Sequence, residues 1–555
     1  MKKILFSALF LLFSATGVLA QQQDMYKYWV ALHDKAGSPY SIDAPADYLS
    51  QRALERRRRQ QIAIDSLDLP VSPAYLQILR QAGFTVRHCS KWFNGVILFA
   101  ADSAMVSTLY SMDFVDTVIL CDKSPAEAPA TLPSIPTEQL IPSLYGTRYD
   151  SSYYNLGYPQ IAQINGTALH RRGYEGQGIV IGVCDGGFPG VDNTVYFDSM
   201  RHDGRLLGTR DFVWSNNNVF SVHDHGTKVL SLMAANLPGH FVGTAPKASY
   251  VLCRTENTES ETILEEYNWI AAAEYLDSLG ADIITSSLGY FRFDDSTQNH
   301  SPADLDGRTT PMTIAGNIAV SRGMLVINAA GNDGDREPGR LNSPADAVDV
   351  LTIGAATIDN SRASFSSFGP TADGRIKPDV MALGHHVTCA AANGSISTTS
   401  GTSLATPIMA GMMACLWQRY PELTPYQLCD SVKAWGSHAN HPDTSIGCGI
   451  PDFARAFPQD TTNFNNTNHP HPAVPTFALY PNPCHNYVDI QLPPHAAALP
   501  HTATLVFRNM LGREVRRQPV HTHTLHISLN DLPPGVYYAT LVTPTSHTSR
   551  KFLLQ

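Results

Sequence analysis

The sequence predicts an α/β protein built around a doubly wound, mostly parallel sheet, with a small α/β unit before it and an antiparallel β-sandwich after it. Two observations predict this architecture. Nearly unbroken apolar runs alternate with helical stretches in the middle of the chain, as in parallel sheets that are buried on both faces. Short strand patterns separated by Pro, Gly and Asn fill residues 476–555. At 555 residues, the chain is also too long for a single core.

The amino-terminal segment predicts a secretory signal peptide over residues 1–20. Two lysines at positions 2 and 3 precede an apolar core from Ile4 to Phe13. Val18-Leu19-Ala20 then supplies the small-residue cleavage site of such a signal. No later stretch has the ~18 uninterrupted apolar residues that a membrane-spanning helix needs. We therefore expect an exported protein, secreted or at the cell surface, without a transmembrane segment.

Residues 21–122 predict a small α/β unit in which short strands alternate with two helices. The strands are expected at "YKYWVAL", "GVILFA" and "VDTVIL", and the helices at 45–61 and 72–83. The basic run Arg56–Arg59 lies in the first helix, and we interpret it as a solvated helix face rather than a phosphate site. Five prolines between residues 123 and 144 then predict a linker over 123–149.

The central unit is predicted to span residues 150–458. Its buried parallel strands are expected at "GIVIGVCD", "ASYVLC", "ADIITSSLG", "MLVINAAGN" and "VLTIGAA". Helical stretches lie between them, such as 259–280, which ends at Gly280. In this architecture, the active crevice lies at the carboxyl ends of the strands. The polar, Pro-containing residues 459–475 predict a second linker before the β-sandwich of residues 476–555.

Composition narrows the class of protein. With 43% hydrophobic and 16% charged residues, the chain is expected to fold rather than to be disordered. The net charge of −10 is spread along the sequence with no basic face, so nucleic acid is not an expected partner. Nine cysteines are too few for a disulfide scaffold. A Cys429–Cys448 disulfide and buried free thiols both remain open.

Three polar residues stand where such a sheet exposes side chains. Asp185 ends "GIVIGVCD", His225 opens a helix in "HDHGTKV", and Ser403 lies in "SGTSLATPIMAG". A serine hydroxyl is a weak nucleophile that needs an imidazole to take its proton, and the imidazole needs a carboxylate to fix its tautomer. The chain order Asp, His, Ser is one of the known orders of such a triad.

Two further features would serve a negatively charged intermediate. The Ser403 N–H at a helix N-terminus and the side-chain amide of Asn332 are candidate donors to an oxyanion. Pro407 falls in the first or second turn of the same helix. We expect it to cost little there, because the first N–H groups of a helix have no partners within it.

The blocks "GIVIGVCDGG", "HDHGTKV", "SSLGY", "NAAGN" and "SGTSLATPIMAG" resemble those of subtilisin-like serine proteases. The resemblance covers about residues 150–458. It implies a subtilisin-like fold and a secreted serine endopeptidase that cleaves proteins or peptides through an acyl-enzyme. By this resemblance, Asp185, His225 and Ser403 form the triad, and Asn332 donates to the oxyanion.

The same resemblance assigns the substrate-binding strand and shows three departures. Ser287, Leu288 and Gly289 correspond to the strand that pairs with extended substrate backbone. Gly186 stands where the family usually has Ser or Thr, and Leu404 replaces the commoner Met. Tyr290 stands where a second glycine is frequent, and we expect it to narrow one subsite.

Each motif alone has a simpler interpretation. An aspartate at a strand end is commonly a turn or cap residue, "HGT" a helix cap, and Asn332 a turn residue. His223 and His225 could be a metal pair, but no further ligands at the usual spacing support a metal site. All the motifs in this order favour the protease. The alternative hypothesis is a catalytically silent adhesin or binding protein on the same scaffold. A serine esterase would need Gly-x-Ser-x-Gly and a Ser-first order, which this chain lacks.

The two flanking parts carry resemblances of their own. Residues 21–122 resemble the leader of Bacteroidetes-like secreted proteases of this family, which implies a prodomain that templates folding and inhibits the enzyme. "YPNP", "GREV" and "LPPGVYY" in residues 476–555 resemble the C-terminal sorting domain of type IX secretion substrates. They imply export through the periplasm and recognition by outer-membrane secretion machinery. No cofactor is expected to be required, and structural calcium, substrate preference and oligomeric state stay open.

Overall fold

The computed structural model describes residues 24–125, 149–457 and 477–555, apart from short gaps inside the last two ranges. The gaps are residues 215–216, 337–339, 481–483, 492–503, 510–512, 521–523 and 543–546. The chain divides into two compact units, Met1–Asp460 and Thr461–Gln555. The predicted signal peptide and the predicted linker 459–475 lie outside the described residues.

The amino-terminal part of the first unit is a small α/β structure. Its elements are β1 (Asp24–Leu32), α1 (Gln51–Arg59), α2 (Pro73–Gln81), β2 (Thr85–Ser90), β3 (Gly95–Ala100), α3 (Val106–Tyr110) and β4 (Val115–Pro125). The strands form an antiparallel sheet in the order β2–β3–β1–β4. Neither β2 nor α3 is anticipated from the sequence. Lys123–Pro125 are expected in a linker, whereas they continue β4 and pair with β1.

The rest of the first unit carries the predicted parallel sheet and its helices. Its elements are α4 (Ser151–Tyr154), α5 (Tyr158–Gln163), α6 (Thr167–His170), β5 (Val180–Asp185), α7 (Asp198–His202), β6 (Leu206–Asp211), α8 (His225–Ala234), β7 (Asn236–Leu237), β8 (Phe241–Val242), β9 (Ser249–Arg254), α9 (Leu264–Leu279), β10 (Ile283–Ser286), α10 (Pro311–Ser321), β11 (Leu325–Ala329), β12 (Leu351–Ala356), β13 (Val380–Leu383), β14 (Val387–Ala390), β15 (Ile396–Thr399), α11 (Thr402–Arg419) and α12 (Pro425–Ala434).

Seven of these strands form one sheet in the order β13–β12–β11–β10–β5–β9–β6, and all neighbours are parallel. The residues of β5 alternate between two cores. Ile181 packs with α8 and α11 on one face, and Val180 packs with α9 and α10 on the other. Helices therefore cover both faces, which confirms the doubly wound α/β prediction. The strand order reverses between β5 and its neighbours, which places the crevice at the carboxyl end of β5.

The amino-terminal sheet packs against α9 of the central part. Trp29 of β1 stacks on Tyr267 of α9, with 4.5 Å between ring centroids. Ile97 and Phe99 of β3 belong to the same apolar core as α9 and α10. The two parts therefore share one continuous hydrophobic core on this face.

A buried ionic cluster lies at the same contact, and it shows that the interpretation of Arg56–Arg59 as a solvated face is wrong for Arg56 and Arg57. Arg56 and Arg57 are each 2% exposed, and both bind the carboxylate of Asp277 on α9. Lys91 reaches the same carboxylate at 2.7 Å. Charges on neighbouring helix positions can be solvated in an isolated helix, but here the central part supplies a buried counter-ion. Arg58 remains exposed and pairs with Glu55.

The second unit is built from antiparallel strands. They are β16 (Ala478–Tyr480), β17 (Tyr487–Gln491), β18 (Thr504–Asn509), β19 (Glu514–Pro519), β20 (Thr524–Ser528), β21 (Gly535–Val542) and β22 (His547–Leu554). One sheet has the order β16–β17–β20 and the other β19–β18–β21–β22. Ile490 of the first sheet and Phe507 of the second lie in one core, so the unit is a β-sandwich with its own hydrophobic interior.

Two further expectations concern a Cys429–Cys448 disulfide and membrane-spanning helices. All nine cysteines lie within the described residues and all are free, so the structure contains no Cys429–Cys448 disulfide. No helix in the described ranges has the length and apolarity to cross a membrane.

Candidate active site

Asp185 and His225 form a hydrogen-bonded pair at the carboxyl end of β5. Asp185 is the last residue of the strand and is fully buried, and its Oδ1 accepts a hydrogen bond from the Gly186 N–H at 2.8 Å. His225 is the first residue of α8, and its Nδ1 lies 2.9 Å from Oδ1 and 3.1 Å from Oδ2 of Asp185. Because an ionised carboxylate only accepts, Nδ1 carries the proton and Nε2 is left as the basic nitrogen.

The environment makes His225 a stronger base than an ordinary histidine. Burial alone would lower its pKa, but the charge of Asp185 and the hydrogen bond to it outweigh burial and raise the pKa to about 9. Glu256 contributes in the same direction. The imidazolium is therefore the stabilised form at neutral pH.

Ser403 is the second residue of α11 and lines the same cleft as His225. The cleft has a volume of about 660 Å³. Ser403 is 7% exposed, and Gly401 precedes the helix with extended backbone. A Cβ at Gly401 would lie 2.8 Å from Ser403 Oγ, so glycine keeps space around the hydroxyl. Within the described residues no hydrogen bond joins Ser403 to His225. Such bonds are often long without substrate and shorten in the Michaelis complex.

Pro407 leaves the carbonyl oxygen of Ser403 without its usual helical partner. In α11, this oxygen would accept from the N–H of residue 407, which proline lacks. The Ser287 hydroxyl donates to it instead, at 2.9 Å. The sequence places Pro407 among the first residues of the helix, whose N–H groups have no partner within it. This expectation is wrong, because Pro407 lies about one turn further along α11. A side chain from the segment after β10 replaces the lost donor.

Asn332 lies between β11 and β12 with its amide orientation fixed by Thr402. Its Oδ1 accepts from the Thr402 N–H at 2.9 Å and from the Thr402 hydroxyl at 3.0 Å. Since an N–H can only donate, the oxygen must face Thr402. The Nδ2 group is thereby left to donate into the cleft, beside Gly401 and Ser403.

Residues Ser287–Gly289 follow β10 along one wall of the cleft. The Leu288 carbonyl accepts from Asn328, and Tyr290 pairs with Ser343 in both directions. Gly289, between them, has no hydrogen bond to its N–H or C=O within the described part of the chain. Alternate residues of an extended chain face opposite sides, so the backbone of Gly289 is available on the cleft side.

Comparison with known proteins decides the family. The sequence profile of the subtilase family matches residues 176–453, which is half of the chain. This chain belongs to the subtilase family. The profile described as peptidase S8 propeptide domain, Bacteroidota, matches residues 27–132 of this subtilase. The secretion system C-terminal sorting domain matches residues 478–555. The sorting domain marks an exported protein, secreted or at the cell surface.

Curated relatives and a solved structure agree with the family. Subtilisin NAT of Bacillus subtilis subsp. natto is 32% identical over 50% of this chain and 65% of its own length. Subtilisin of Bacillus pumilus is 31% identical over 50% of this chain and 90% of its own. The chain thus spans less than two thirds of the first of these relatives. The epidermin leader peptide processing serine protease EpiP of Staphylococcus aureus has the same fold, with a TM-score of 0.52 at 15% identity, over 80% of this chain and 100% of its own.

Of the three departures of this subtilase, one lies in the core around α11 and the other two lie near glutamates of the cleft region. Leu404 is 2% exposed and packs in the core around α11. Gly186 lies against Glu256, and a Cβ there would be 2.8 Å from Glu256 Oε2. Tyr290 is 1% exposed and stacks on Phe293. Its side chain does not line the cleft, so it does not narrow a subsite directly.

Three glutamates of the subtilase converge at the cleft, and they are not found from the sequence. One carboxylate oxygen each from Glu256, Glu261 and Glu265 lies within 4.8 Å of the others. Glu256 follows β9, Glu261 precedes α9, and Glu265 lies in its first turn. Only Glu261 and Glu265 have helical spacing, so no local motif marks the group. In the described residues, this is the one group of three or more His, Cys, Asp or Glu side chains whose ligand atoms lie close enough together to share a cation.

Proposed function

We propose that this subtilase is a serine endopeptidase that hydrolyses peptide bonds of proteins through an acyl-enzyme. The observation that carries the proposal is the buried Asp185–His225 hydrogen bond on the same cleft as Ser403 and Asn332. An adhesin that had lost activity would have no need for a buried charge, a paired imidazole and a fixed amide facing one cavity. The family profile, which matches the segment containing all four residues, supports the same function.

In this mechanism, Ser403 Oγ attacks the carbonyl carbon of the scissile bond and His225 Nε2 takes the hydroxyl proton. Asp185 holds Nδ1–H and stabilises the imidazolium. The oxyanion accepts from Asn332 Nδ2 and from the Ser403 N–H at the start of α11. The imidazolium then gives its proton to the leaving amine, and the peptide N-terminal to the bond stays esterified to Oγ. A water molecule, deprotonated by His225, hydrolyses the ester. These steps require no cofactor.

Substrate backbone is proposed to lie along Ser287–Gly289, with hydrogen bonds to the free N–H and C=O of Gly289. Ser287 has a second part in this arrangement, because it also holds the Ser403 carbonyl. Leu288 points into the core and contributes its backbone position only.

The flanking parts are proposed to regulate and export the enzyme. We place the prodomain at 21–125, because β4 continues to Pro125, the catalytic domain at 150–458 and the sorting domain at 476–555, with linkers over 126–149 and 459–475. The shared core and the ionic cluster around Asp277 support a prodomain that stays bound and inhibits the enzyme until it is removed. Export is proposed to run through the periplasm to outer-membrane secretion machinery that recognises the sorting domain.

An activity-based fluorophosphonate probe tests the function. After prodomain removal, the probe should label the protein at Ser403, and Ser403→Ala should abolish both labelling and proteolysis. The expected loss of kcat is about 10⁶-fold, as for the corresponding residue of subtilisin. A folded, processed protein that neither reacts with the probe nor cleaves any protein substrate would instead support the silent adhesin.

A further inference from the structure

The acidic cluster of Glu256, Glu261 and Glu265 is part of the cleft but has no role in the reaction described above. Glu256 and Glu261 line the cleft and are half-buried. Glu265 lies behind them and is 1% exposed. Since one oxygen of each lies within 4.8 Å of the others, the three side chains point to a common centre at the cleft wall.

Glu265 is unsatisfied in this arrangement. Neither of its carboxylate oxygens has a hydrogen-bond partner among the described residues. Burial and the charges of Glu261 and Glu256 raise the pKa of Glu265 well above its usual value, and the nearby Thr262 N–H and Tyr290 hydroxyl oppose this shift without making a hydrogen bond of normal geometry. A buried carboxylate without a donor costs stability. A cationic donor at this centre would supply both the missing hydrogen bonds and a compensating charge.

The raised pKa values of Glu256 and Glu261 also indicate that a cation would be favourable at this cluster. Burial raises the pKa of Glu261 to about 7, and the nearby charges of Glu256 and Asp294 act in the same direction. Burial and the charge of Asp185 raise the pKa of Glu256 to about 7, although His225 and Arg254 oppose them. Like charges at this separation repel, and a cation at their centre would reverse the effect.

Two of the three departures from the family pattern lie at this cluster. Gly186 makes room for it, because any Cβ there would collide with Glu256 Oε2 at 2.8 Å and with Thr258 Cγ2 at 2.9 Å. Tyr290 lies beneath it, with a buried hydroxyl that has no hydrogen-bond partner in the described residues. Its phenol interacts with Glu265. The sequence therefore departs from the family pattern at positions that accommodate the carboxylates.

We propose that Glu256, Glu261 and Glu265 form a subsite for the basic side chain, Lys or Arg, of a substrate residue that precedes the scissile bond. The inference rests on the proposed function. A substrate chain paired with Gly289 runs along the cleft that Glu256 and Glu261 also line, and its alternate side chains leave the plane of backbone pairing on opposite faces, so every second side chain can extend toward the cluster. An ammonium or guanidinium group then supplies the donors that Glu265 lacks.

The test uses the full-length chain after its own maturation and a fluorogenic peptide library. Positions P4 to P1 carry in turn Lys, Arg, or their uncharged analogues norleucine and citrulline. We expect kcat/KM to favour the basic residue by about 10- to 100-fold at one of these positions, because an uncharged analogue leaves buried carboxylates unpaired. Equal rates for charged and uncharged residues at all four positions would overturn the subsite.

Variants locate the preference on the cluster. Glu261→Gln keeps the side-chain shape and removes one charge, so the basic-to-neutral ratio should fall about tenfold. The matched control is Glu259→Gln, which removes an exposed charge from the same wall outside the cluster and should keep the ratio. An equal loss in both variants would mean that general negative potential, rather than this cluster, selects the substrate, and would overturn the assignment.

Two further measurements distinguish the subsite from a metal site and from an inactive enzyme. Calcium alone is titrated calorimetrically into the wild type and Glu261→Gln. Calcium binding that the substitution abolishes would assign the carboxylates to a metal and overturn the proposal, whereas its absence supports an organic cation. Fluorophosphonate labelling is measured on the same samples. Labelling at Ser403 without a basic preference overturns this subsite alone, and absence of labelling overturns the proposed function and the inference with it.

Discussion

The hydroxyl of Ser287 donates a hydrogen bond to the carbonyl oxygen of Ser403, with 2.9 Å between the two oxygens. This bond joins the segment proposed to bind substrate to the first turn of the helix that carries the proposed nucleophile. It exists because Pro407 has no N–H to give to the same carbonyl. The hydrogen bond that α11 lacks at Pro407 is thus replaced by one that connects α11 to the segment after β10.

Removing that donor should destabilise the protein. Ser287→Ala leaves the Ser403 carbonyl without a partner, and the expected loss is ~1–3 kcal/mol in the free energy of unfolding. Urea unfolding measures it in a Ser403→Ala background, which retains the carbonyl and prevents self-digestion. Ser287→Thr keeps a hydroxyl and serves as control. Equal stability of the alanine and threonine variants would contradict the bridging role.

Asn332 should act in the transition state rather than in substrate binding. Asn332→Ala removes one oxyanion donor, so kcat should fall about 10²- to 10³-fold with little change in KM. Asn332→Asp keeps an acceptor for Thr402 but replaces the donor with an oxygen, and it should lose at least as much. Steady-state kinetics on one peptide substrate measure both. A kcat within threefold of wild type for either variant would exclude Asn332 as an oxyanion donor.

The pH dependence should reflect the raised pKa of His225. The imidazole must be neutral to accept the Ser403 proton, so kcat/KM is low below its pKa and rises as pH increases through it. With the pKa raised to about 9 by Asp185, the rise should lie on the alkaline side of neutrality. Glu256→Gln removes a charge that raises this pKa and should move the rise to lower pH. A rate that is flat from pH 5 to 9, with chemistry limiting, would contradict a histidine base.

The strands in the middle of the sheet can be predicted from sequence because both of their faces are buried. β5, β9, β10, β11 and β12 are almost entirely apolar, and the sequence locates each to within a few residues. The outermost strands β6 and β13 are not anticipated. β6 is half-exposed at the edge, and β13 has only the four residues Val380–Leu383. Neither has a long apolar run, since an edge strand is covered on fewer sides.

The proposed site also has one part that can be predicted from the sequence and one part that cannot. Asp185, His225 and Ser403 each lie in a contiguous motif, so the sequence alone can nominate them. The Ser287–Ser403 bond and the acidic cluster depend on segments far apart in the chain, which only the fold brings together. The burial of Arg56 and Arg57 is likewise hidden in the sequence, because their counter-ion lies on α9, more than 200 positions later in the chain.

The ionic cluster should control how firmly the prodomain is held. Although burial opposes it, the charges of Lys91, Arg56 and Arg57 hold the pKa of Asp277 well below its usual range. Asp277→Asn would leave three buried cations without their shared counter-ion. The expected cost of ~3–5 kcal/mol weakens retention of the processed prodomain by about 10²- to 10⁴-fold.

Co-elution of the processed prodomain with the catalytic domain in size-exclusion chromatography measures this retention. Arg58→Ala is the control, because Arg58 is exposed and pairs only with Glu55 within the described residues. In Asp277→Asn, the processed prodomain should elute apart from the catalytic domain. In Arg58→Ala, the two should still elute together. Unchanged retention in Asp277→Asn would show that the apolar contacts around Trp29 suffice.

Deleting residues 476–555 should leave peptidase activity nearly intact and prevent export. Thr461–Gln555 forms a separate compact unit with its own apolar core, which includes Ile490, Phe507 and Phe552. None of the proposed catalytic residues lies in it, and a domain with its own core folds independently as a rule. The purified truncated chain, once processed, should therefore cleave peptides at close to the wild-type rate.

In the native host, the same deletion removes the part that matches the sorting domain, so activity should accumulate in the periplasmic fraction and disappear from the extracellular one. Ser403→Ala in the full-length chain is the complementary control, because it should be exported without activity. Normal extracellular activity of the truncated chain would refute the sorting role, and inactivity of the purified truncated chain would show that the sandwich is needed by the catalytic domain.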